Sequence, residues 1–319
     1  MRKLLPLSLI PLFALSSCVQ KSDVLEVKMY YFDTLNEVKL FEGDENNLKD
    51  IKDIFYYYDQ ASDNFNSRSI KNVFYINHSR GEPVTVESDV YELIKTSFNI
   101  TKEGPTYFNP LAGGLSNLWK ESLKKSEIPS ESQINEQLDY MKNTTVSFLE
   151  NNVIHRVGNA EIDLGGIAKG YTLDKVKSYL SEKSITKYLV NAGQSSVLLG
   201  EKNEGDGYFN VGISELDNTY LKLKNCVVST SGVNPQGVKI GDVTYSHIVN
   251  PITGSAINNY DAVVVISTNG TLGDAFSTSF MLSSLDEIKE AEAKYNLQVI
   301  AIKDKQVLYK SNSLELLNH

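Results

Sequence analysis

The chain has 319 residues, 41% hydrophobic and 22% charged, with 8 prolines, a composition suited to one large core or two intimate ones. A formal net charge of −9 argues against nucleic-acid binding, which needs clustered Lys and Arg. It equally disfavours broad adsorption to an anionic membrane surface.

The first residues read as an export signal. Arg2 and Lys3 precede an apolar run from Leu4 to Leu15, followed by Ser16, Ser17 and Cys18. The run is too short to span a bilayer, which takes about 20 residues. Leu15-Ser16-Ser17-Cys18 resembles a bacterial lipobox, making 1–17 a lipoprotein signal, Cys18 the lipidated residue and 18–23 a tether. The expected location is extracytoplasmic, lipid-anchored to a bacterial membrane. Cys226, the other cysteine, lies in an apolar run and reads as a small buried hydrophobe.

From residue 24 to 319 the chain reads as one domain of two lobes. Val24–Phe41 alternates as two strands with a turn near Asn36. Lys49–Phe65 reads as an aromatic-rich helix, followed by helices over Glu87–Thr101, Leu111–Lys125 and Ser130–Lys142, the last with good N-cap chemistry. Strand-like runs then dominate: Val146–Glu150, Val153–Val157, Lys187–Asn191, Val197–Gly200, Tyr208–Ser214, Leu221–Thr230, Asp261–Ser267, Leu297–Lys303 and Gln306–Lys310. Helices over Lys169–Glu182, Leu272–Ser283 and Leu285–Tyr295 interrupt them. The order predicts an α+β fold, a helical N-terminal lobe packed on a mostly antiparallel, strand-rich C-terminal lobe.

Three islands carry chemistry. In Asp163-Leu164-Gly165-Gly166-Ile167-Ala168-Lys169-Gly170-Tyr171 a strand ends on an acid, two glycines allow close backbone approach, and a helix begins near Lys169. Backbone N–H groups at a helix start, with one Lys, suit a phosphate. The same stretch also reads as a plain tight turn. In Tyr245-Ser246-His247-Ile248-Val249-Asn250-Pro251-Ile252-Thr253-Gly254, His247 sits among hydroxyls and an amide, suited to proton transfer or to a structural hydrogen bond. In Gly273-Asp274-Ala275-Phe276-Ser277-Thr278, helical spacing sets Asp274 and Thr278 on one face. That is either a sparse oxygen site of the kind Mg²⁺ uses or an ordinary helix start.

In order and wording, these islands resemble the FAD:protein FMN transferase (ApbE) family. Phe32-Asp33-Thr34, a looser likeness over Ser69–Asn77, Phe108-Asn109-Pro110-Leu111 with Leu118-Trp119, Val190-Asn191-Ala192-Gly193 and Ser229-Thr230-Ser231-Gly232 fill the gaps. The resemblance implies Mg²⁺ held by Asp274, Thr278 and the Gly166 carbonyl. It implies FAD, as substrate, lined by Phe32, Phe65, Tyr107, Phe108, Asn109, Asp163, Lys169 and Ile248. The implied reaction moves FMN from FAD to a Thr or Ser hydroxyl of an acceptor protein and releases AMP. His247 is the candidate base and Asp274 the alternative. The same residues would also serve Mg²⁺-dependent hydrolysis of FAD to FMN and AMP, or flavin binding without turnover. Two positions depart from the family pattern: Asn109 stands where a carboxylate is usual, and Gln194 where a glycine is.

Overall fold

The computed structural model describes residues 24–233 and 237–318; the signal at 1–17, Cys18 and the tether at 18–23 lie outside the described residues. Strands β1 (Leu25–Tyr31) and β2 (Thr34–Leu40) form a hairpin. Helices α1 (Glu45–Ser62) and α2 (Val73–Asn77), strand β3 (Val84–Thr85), and helices α3 (Ser88–Glu103), α4 (Gly113–Lys124) and α5 (Glu131–Asn143) follow. The hairpin β4 (Thr145–Leu149) and β5 (Val153–Val157) leads to α6 (Ala168–Glu182). Then come β6 (Tyr188–Ala192), β7 (Ser196–Leu199), β8 (Phe209–Gly212), β9 (Thr219–Leu223), β10 (Cys226–Gly232), β11 (Val238–Ile240), β12 (Val243–Tyr245) and β13 (Ala262–Ser267). The last elements are α7 (Gly270–Phe280), α8 (Leu285–Tyr295), β14 (Gln298–Lys303), β15 (Gln306–Lys310) and β16 (Leu317–Asn318).

Eight strands build one antiparallel sheet in the order β1-β2-β6-β7-β10-β13-β14-β15. On one face Phe55, Leu173 and Val176 cover Val38, Val190 and Leu198, while Phe276 and Phe280 cover Val263, Val265 and Val299. On the other face Phe209 and Leu221 cover Val228, Val264, Ile266 and Ile300. Strand β13 is therefore buried at every residue, which explains its unbroken apolar run in place of the alternation of a half-buried strand. The helical lobe has its own core around Ile76, Ile94, Leu115, Trp119 and Ile154. The α+β architecture is as expected, with one refinement: β1 and β2 belong to the large sheet, so the two lobes do not follow each other along the chain.

Three boundaries differ from expectation. The first turn lies at Phe32 and Asp33, both near φ 55°, not near Asn36. Two consecutive left-handed residues make the two-residue hairpin turn that matches strand twist, here without glycine. Asn36 is fully buried in β2, and its amide donates to the Tyr31 and Thr34 carbonyls at 2.9 and 3.0 Å. Helix α1 starts four residues before the predicted Lys49, because Asp44 and Asn47 form a reciprocal capping box. The expected strand Leu221–Thr230 is two strands, broken at left-handed Asn225, so that β9 joins β8 and β16 in a separate three-stranded sheet and β10 enters the large one. Ser130 caps α5 as expected, in a box with Gln133. Among the described residues no helix is long and apolar enough to cross a membrane.

Helices α6 and α7 meet at their first turns. A Cβ on Gly170 would sit 2.1 Å from the Gly270 carbonyl oxygen, and one on Gly270 2.6 Å from that of Gly170. Each helix also lends the other a carboxylate. Asp174 of α6 accepts the Gly270 and Thr271 amides at 2.7 and 2.8 Å and the Thr271 hydroxyl at 2.6 Å. Asp274 of α7 accepts the Gly170 amide at 2.6 Å. Backbone faces backbone here, so a side chain has no flexible neighbour to displace. Gly170→Ala should lower the unfolding free energy by about 2 kcal/mol or more. Denaturant titration checks this, and a cost near zero would disprove the close contact.

Candidate active site

Contrary to the expectation from sequence, no strand ends at Asp163: β5 stops at Val157, and a segment outside any strand leads into the turn before α6, which Asp163 shapes. Asp163 Oδ1 accepts the Gly165 amide at 2.7 Å, and the Leu164 carbonyl accepts the Ile167 and Ala168 amides. Gly166 lies against its neighbours: a Cβ there would sit 3.0 Å from the Phe108 ring and 3.6 Å from Thr278 Oγ1. The Asp163 amide donates to the Pro110 carbonyl at 2.8 Å, fixing the Phe108-Asn109-Pro110 segment beside the turn. Asn109 Oδ1 accepts the Leu111 amide at 2.9 Å. An amide oxygen meets that demand as a carboxylate would, so the departure at Asn109 leaves the turn intact. Asn77 serves as a backbone substitute, donating to the Ile162 carbonyl and accepting its amide.

Asp274 is buried and hydrogen-bonded through both carboxylate oxygens. Its Oδ1 accepts the hydroxyls of Ser229 at 2.6 Å and Ser196 at 2.8 Å, while Oδ2 takes the Gly170 amide. Burial pushes its carboxyl above the usual carboxylate range; the bonds from Ser229, Ser196 and Gly170, with the charge of Lys169, pull it back. One turn on, Thr278 is half-buried, its Oγ1 3.4 Å from Ser231 Oγ, which also meets Ser277 Oγ at 2.9 Å. Gly166, Asp274 and Thr278 are thus brought together across the helix crossing. Among the described residues no group of three or more His, Cys, Asp or Glu side chains gathers as a metal cluster. The oxygen donors present are the Asp274 carboxylate and the Thr278 hydroxyl, with the Gly166 backbone lying against Thr278; oxygens of this kind are hard ligands.

His247 belongs to the same neighbourhood. Removal from water pushes its imidazole down to about 4; Lys120 and Lys169 push the same way and Asp163 opposes them. The ring is therefore neutral at pH 7, and its buried Nδ1 has no hydrogen-bond partner among the described residues. Its loop is rigid: Trp119 Nε1 donates to the Gly254 carbonyl at 2.8 Å, and the Gly254 amide donates to the Asn250 carbonyl. Ile248 is buried in the core beneath. Tyr107 donates its amide to Ser279 Oγ on α7 and its hydroxyl to Glu287. Phe32, at the β1–β2 turn, packs edge-on to Phe55 and donates its amide to Asp59. Phe65 is 60% exposed on the loop after α1, its amide on Asp63 Oδ1 and not on any of these residues.

Sequence reasoning missed Ser196, the role of Ser229, and Asp174. The one signal available was on β10, where Ser229 and Ser231 alternate onto one face after the apolar start Cys226-Val227-Val228. Ser196 shows its purpose only in three dimensions. Gln194 is exposed in the β6–β7 turn at φ 63°, its amide on Asn191 Oδ1. Its departure from glycine therefore adds backbone strain of about 1 kcal/mol and points a side chain into solvent.

Comparison with known proteins accounts for this arrangement. The ApbE family model matches residues 31–301. The FAD:protein FMN transferase of Klebsiella pneumoniae is 30% identical over 222 residues, covering 66% of this chain and 68% of its own. That of Chlamydia muridarum is 25% identical over 281 residues, covering 84% and 86%. The crystal structure of the ApbE protein of Thermotoga maritima superposes with a TM-score of 0.78 at 25% identity, over 91% of this chain and 97% of that one. A His-to-Gly variant of the Vibrio cholerae flavin transferase ApbE shares the fold with a TM-score of 0.74 at 20% identity, over 91% and 98%. With the family model spanning both lobes and all three chemical islands, the chain belongs to the ApbE family.

Proposed function

We propose that this chain is an FAD:protein FMN transferase that moves FMN from FAD to a Thr or Ser hydroxyl of an acceptor protein and releases AMP. The observation that carries the reading is the convergence at the α6–α7 crossing of the Asp274 carboxylate, the Thr278 hydroxyl and the Gly166 backbone, with Lys169 close enough to act on Asp274 and His247 alike. The family name borne by the Klebsiella and Chlamydia relatives supports it.

In this reading the acceptor oxygen attacks the FMN-side phosphorus, the bond to the AMP oxygen breaks, and the hydroxyl proton passes to Nε2 or Nδ1 of His247. Lys169 and the Gly166 amide steady the diphosphate oxygens as charge builds. Phe32, Phe65, Tyr107, Phe108, Asn109, Asp163 and Ile248 line the flavin nucleotide. The hard-oxygen set of Asp274, Thr278 and the Gly166 carbonyl fits Mg²⁺, which needs few protein ligands when phosphate supplies others. Mg²⁺ held there would draw charge from the diphosphate and orient it. The purified chain, given FAD, Mg²⁺ and an acceptor with an Asp-Gly-x-Ser/Thr-x-Ala-Thr-like segment, should add FMN to that acceptor by intact mass. No adduct with any divalent metal would sink the proposal; free FMN released at a comparable rate without acceptor would mark a hydrolase.

His247 is placed to take the proton as a neutral imidazole. His247→Ala should slow transfer by about 10²-fold or more while FAD binding persists. Because the folded imidazole titrates near 4, its neutral form is present above that pH and is lost below it. The acid limb of kcat/KM in the free enzyme should therefore fall near 4, not at the ordinary histidine value. A limb near 6.5, or an Ala variant of undiminished rate, would remove His247 from the role.

The same proposal sets the enzyme outside the cytoplasm, lipid-anchored through Cys18 to a bacterial membrane, on the strength of the residues from Arg2 to Cys18. Cys18→Ser should shift the chain from the membrane to the soluble fraction. Retention on the membrane would argue against the anchor.

A further inference from the structure

Asp274 has more hydrogen-bond donors than its charge alone requires. An ionised carboxylate offers about four lone-pair sites. Three are occupied: two on Oδ1 by the Ser196 and Ser229 hydroxyls, one on Oδ2 by the Gly170 amide. One site remains, on Oδ2. Both serines are essentially inaccessible, Ser196 at 1% and Ser229 at 0% exposure, so water does not compete for Oδ1. Room for Ser229 is built into the facing helix, since a Cβ on Gly273 would sit 2.8 Å from its Oγ. The two hydroxyls come from neighbouring strands, β7 and β10, paired through Ser229 and Ser196. They fix the plane of the carboxylate from the sheet side.

We propose that Ser196 and Ser229 are positioning residues that restrict Asp274 to one monodentate contact with a cation and so make the site select Mg²⁺ over Ca²⁺. This rests on the reading of Asp274 as a cation ligand. Ca²⁺ takes six to eight oxygens and readily uses both oxygens of a carboxylate, whereas Mg²⁺ is satisfied by one protein oxygen, water and phosphate. With Oδ1 saturated, the bidentate mode is closed. Removing either hydroxyl reopens Oδ1 and lets the carboxylate turn. Such outer partners commonly change metal affinity by about 10- to 100-fold.

The test uses the full chain with FAD and without acceptor, with Mn²⁺ as probe read by electron paramagnetic resonance and displaced by Mg²⁺ or Ca²⁺. The wild-type chain should release Mn²⁺ at lower Mg²⁺ than Ca²⁺ concentration. Ser196→Ala and Ser229→Ala should each weaken Mg²⁺ competition about tenfold with Ca²⁺ competition held or strengthened, so that the Mg²⁺/Ca²⁺ ratio collapses. A merely structural role would lower thermal stability and leave that ratio unmoved. Ser196→Cys and Ser229→Cys, close in volume with a weaker donor, keep the test open if an alanine variant does not fold. Folded variants whose ratio stays within about twofold of wild type would overturn the proposal and leave the cation reading standing. Equal Mn²⁺ binding by wild type and Asp274→Asn would overturn both.

Discussion

The structure depends on the contact between the first turns of α6 and α7. Each helix start carries partial positive charge from its unpaired amides, so bringing two together costs electrostatic energy. The exchanged carboxylates answer that cost: Asp174 covers the amides of α7, and Asp274 takes an amide of α6. Glycine at 170 and at 270 removes the steric barrier. The approach of Gly166 to Thr278 and the seat of Asp274 follow from this crossing. Gly166 can approach Thr278 only because the helices touch, and Lys169 acts on Asp274 only because it opens α6.

Charge is distributed unevenly as a result. The chain is acidic overall at −9, yet Lys120 and Lys169 lie near His247 and two helix starts point into one region. Positive charge gathered at one place attracts a compact anion without making the whole surface adhesive to nucleic acid. The neutral His247, whose Nδ1 has no partner among the described residues, fits that economy. A protonated imidazole there would add a third cation to a poorly hydrated pocket, and burial opposes it.

Much of this was legible in the sequence, for reasons that differ by element. Helices α5 and α6 were readable because local chemistry decides them: Ser130 caps one, and the Gly165-Gly166 turn opens the other. The first hairpin turn was not, because Phe32 and Asp33 adopt left-handed angles that sequence preference assigns to glycine or asparagine. Asn36 drew the turn to itself and was instead buried in the strand, its amide spent on the turn's carbonyls. The family islands fixed which side chains matter at Asp274 and Thr278. They did not reveal Ser196, whose partner lies 78 positions away, since no local pattern records a contact made by sheet order.

The sheet order also dictates how the molecule must be assembled. Strand β2 pairs with β6 through Leu40 and Tyr188, so nearly the whole helical lobe is a loop inserted between neighbouring strands. Closing a loop of that length costs on the order of 4 kcal/mol in chain entropy, and long-range pairing of this kind slows folding. The hairpin bearing Phe32 is the first described part of the chain to leave the ribosome, yet it has no sheet partner until β6 has followed. The Phe32 turn and the α6–α7 crossing both belong to the sheet lobe, yet the chain between them runs through the inserted one. The catalytic neighbourhood is therefore complete only once the two ends of the inserted lobe have been sewn into adjacent strands.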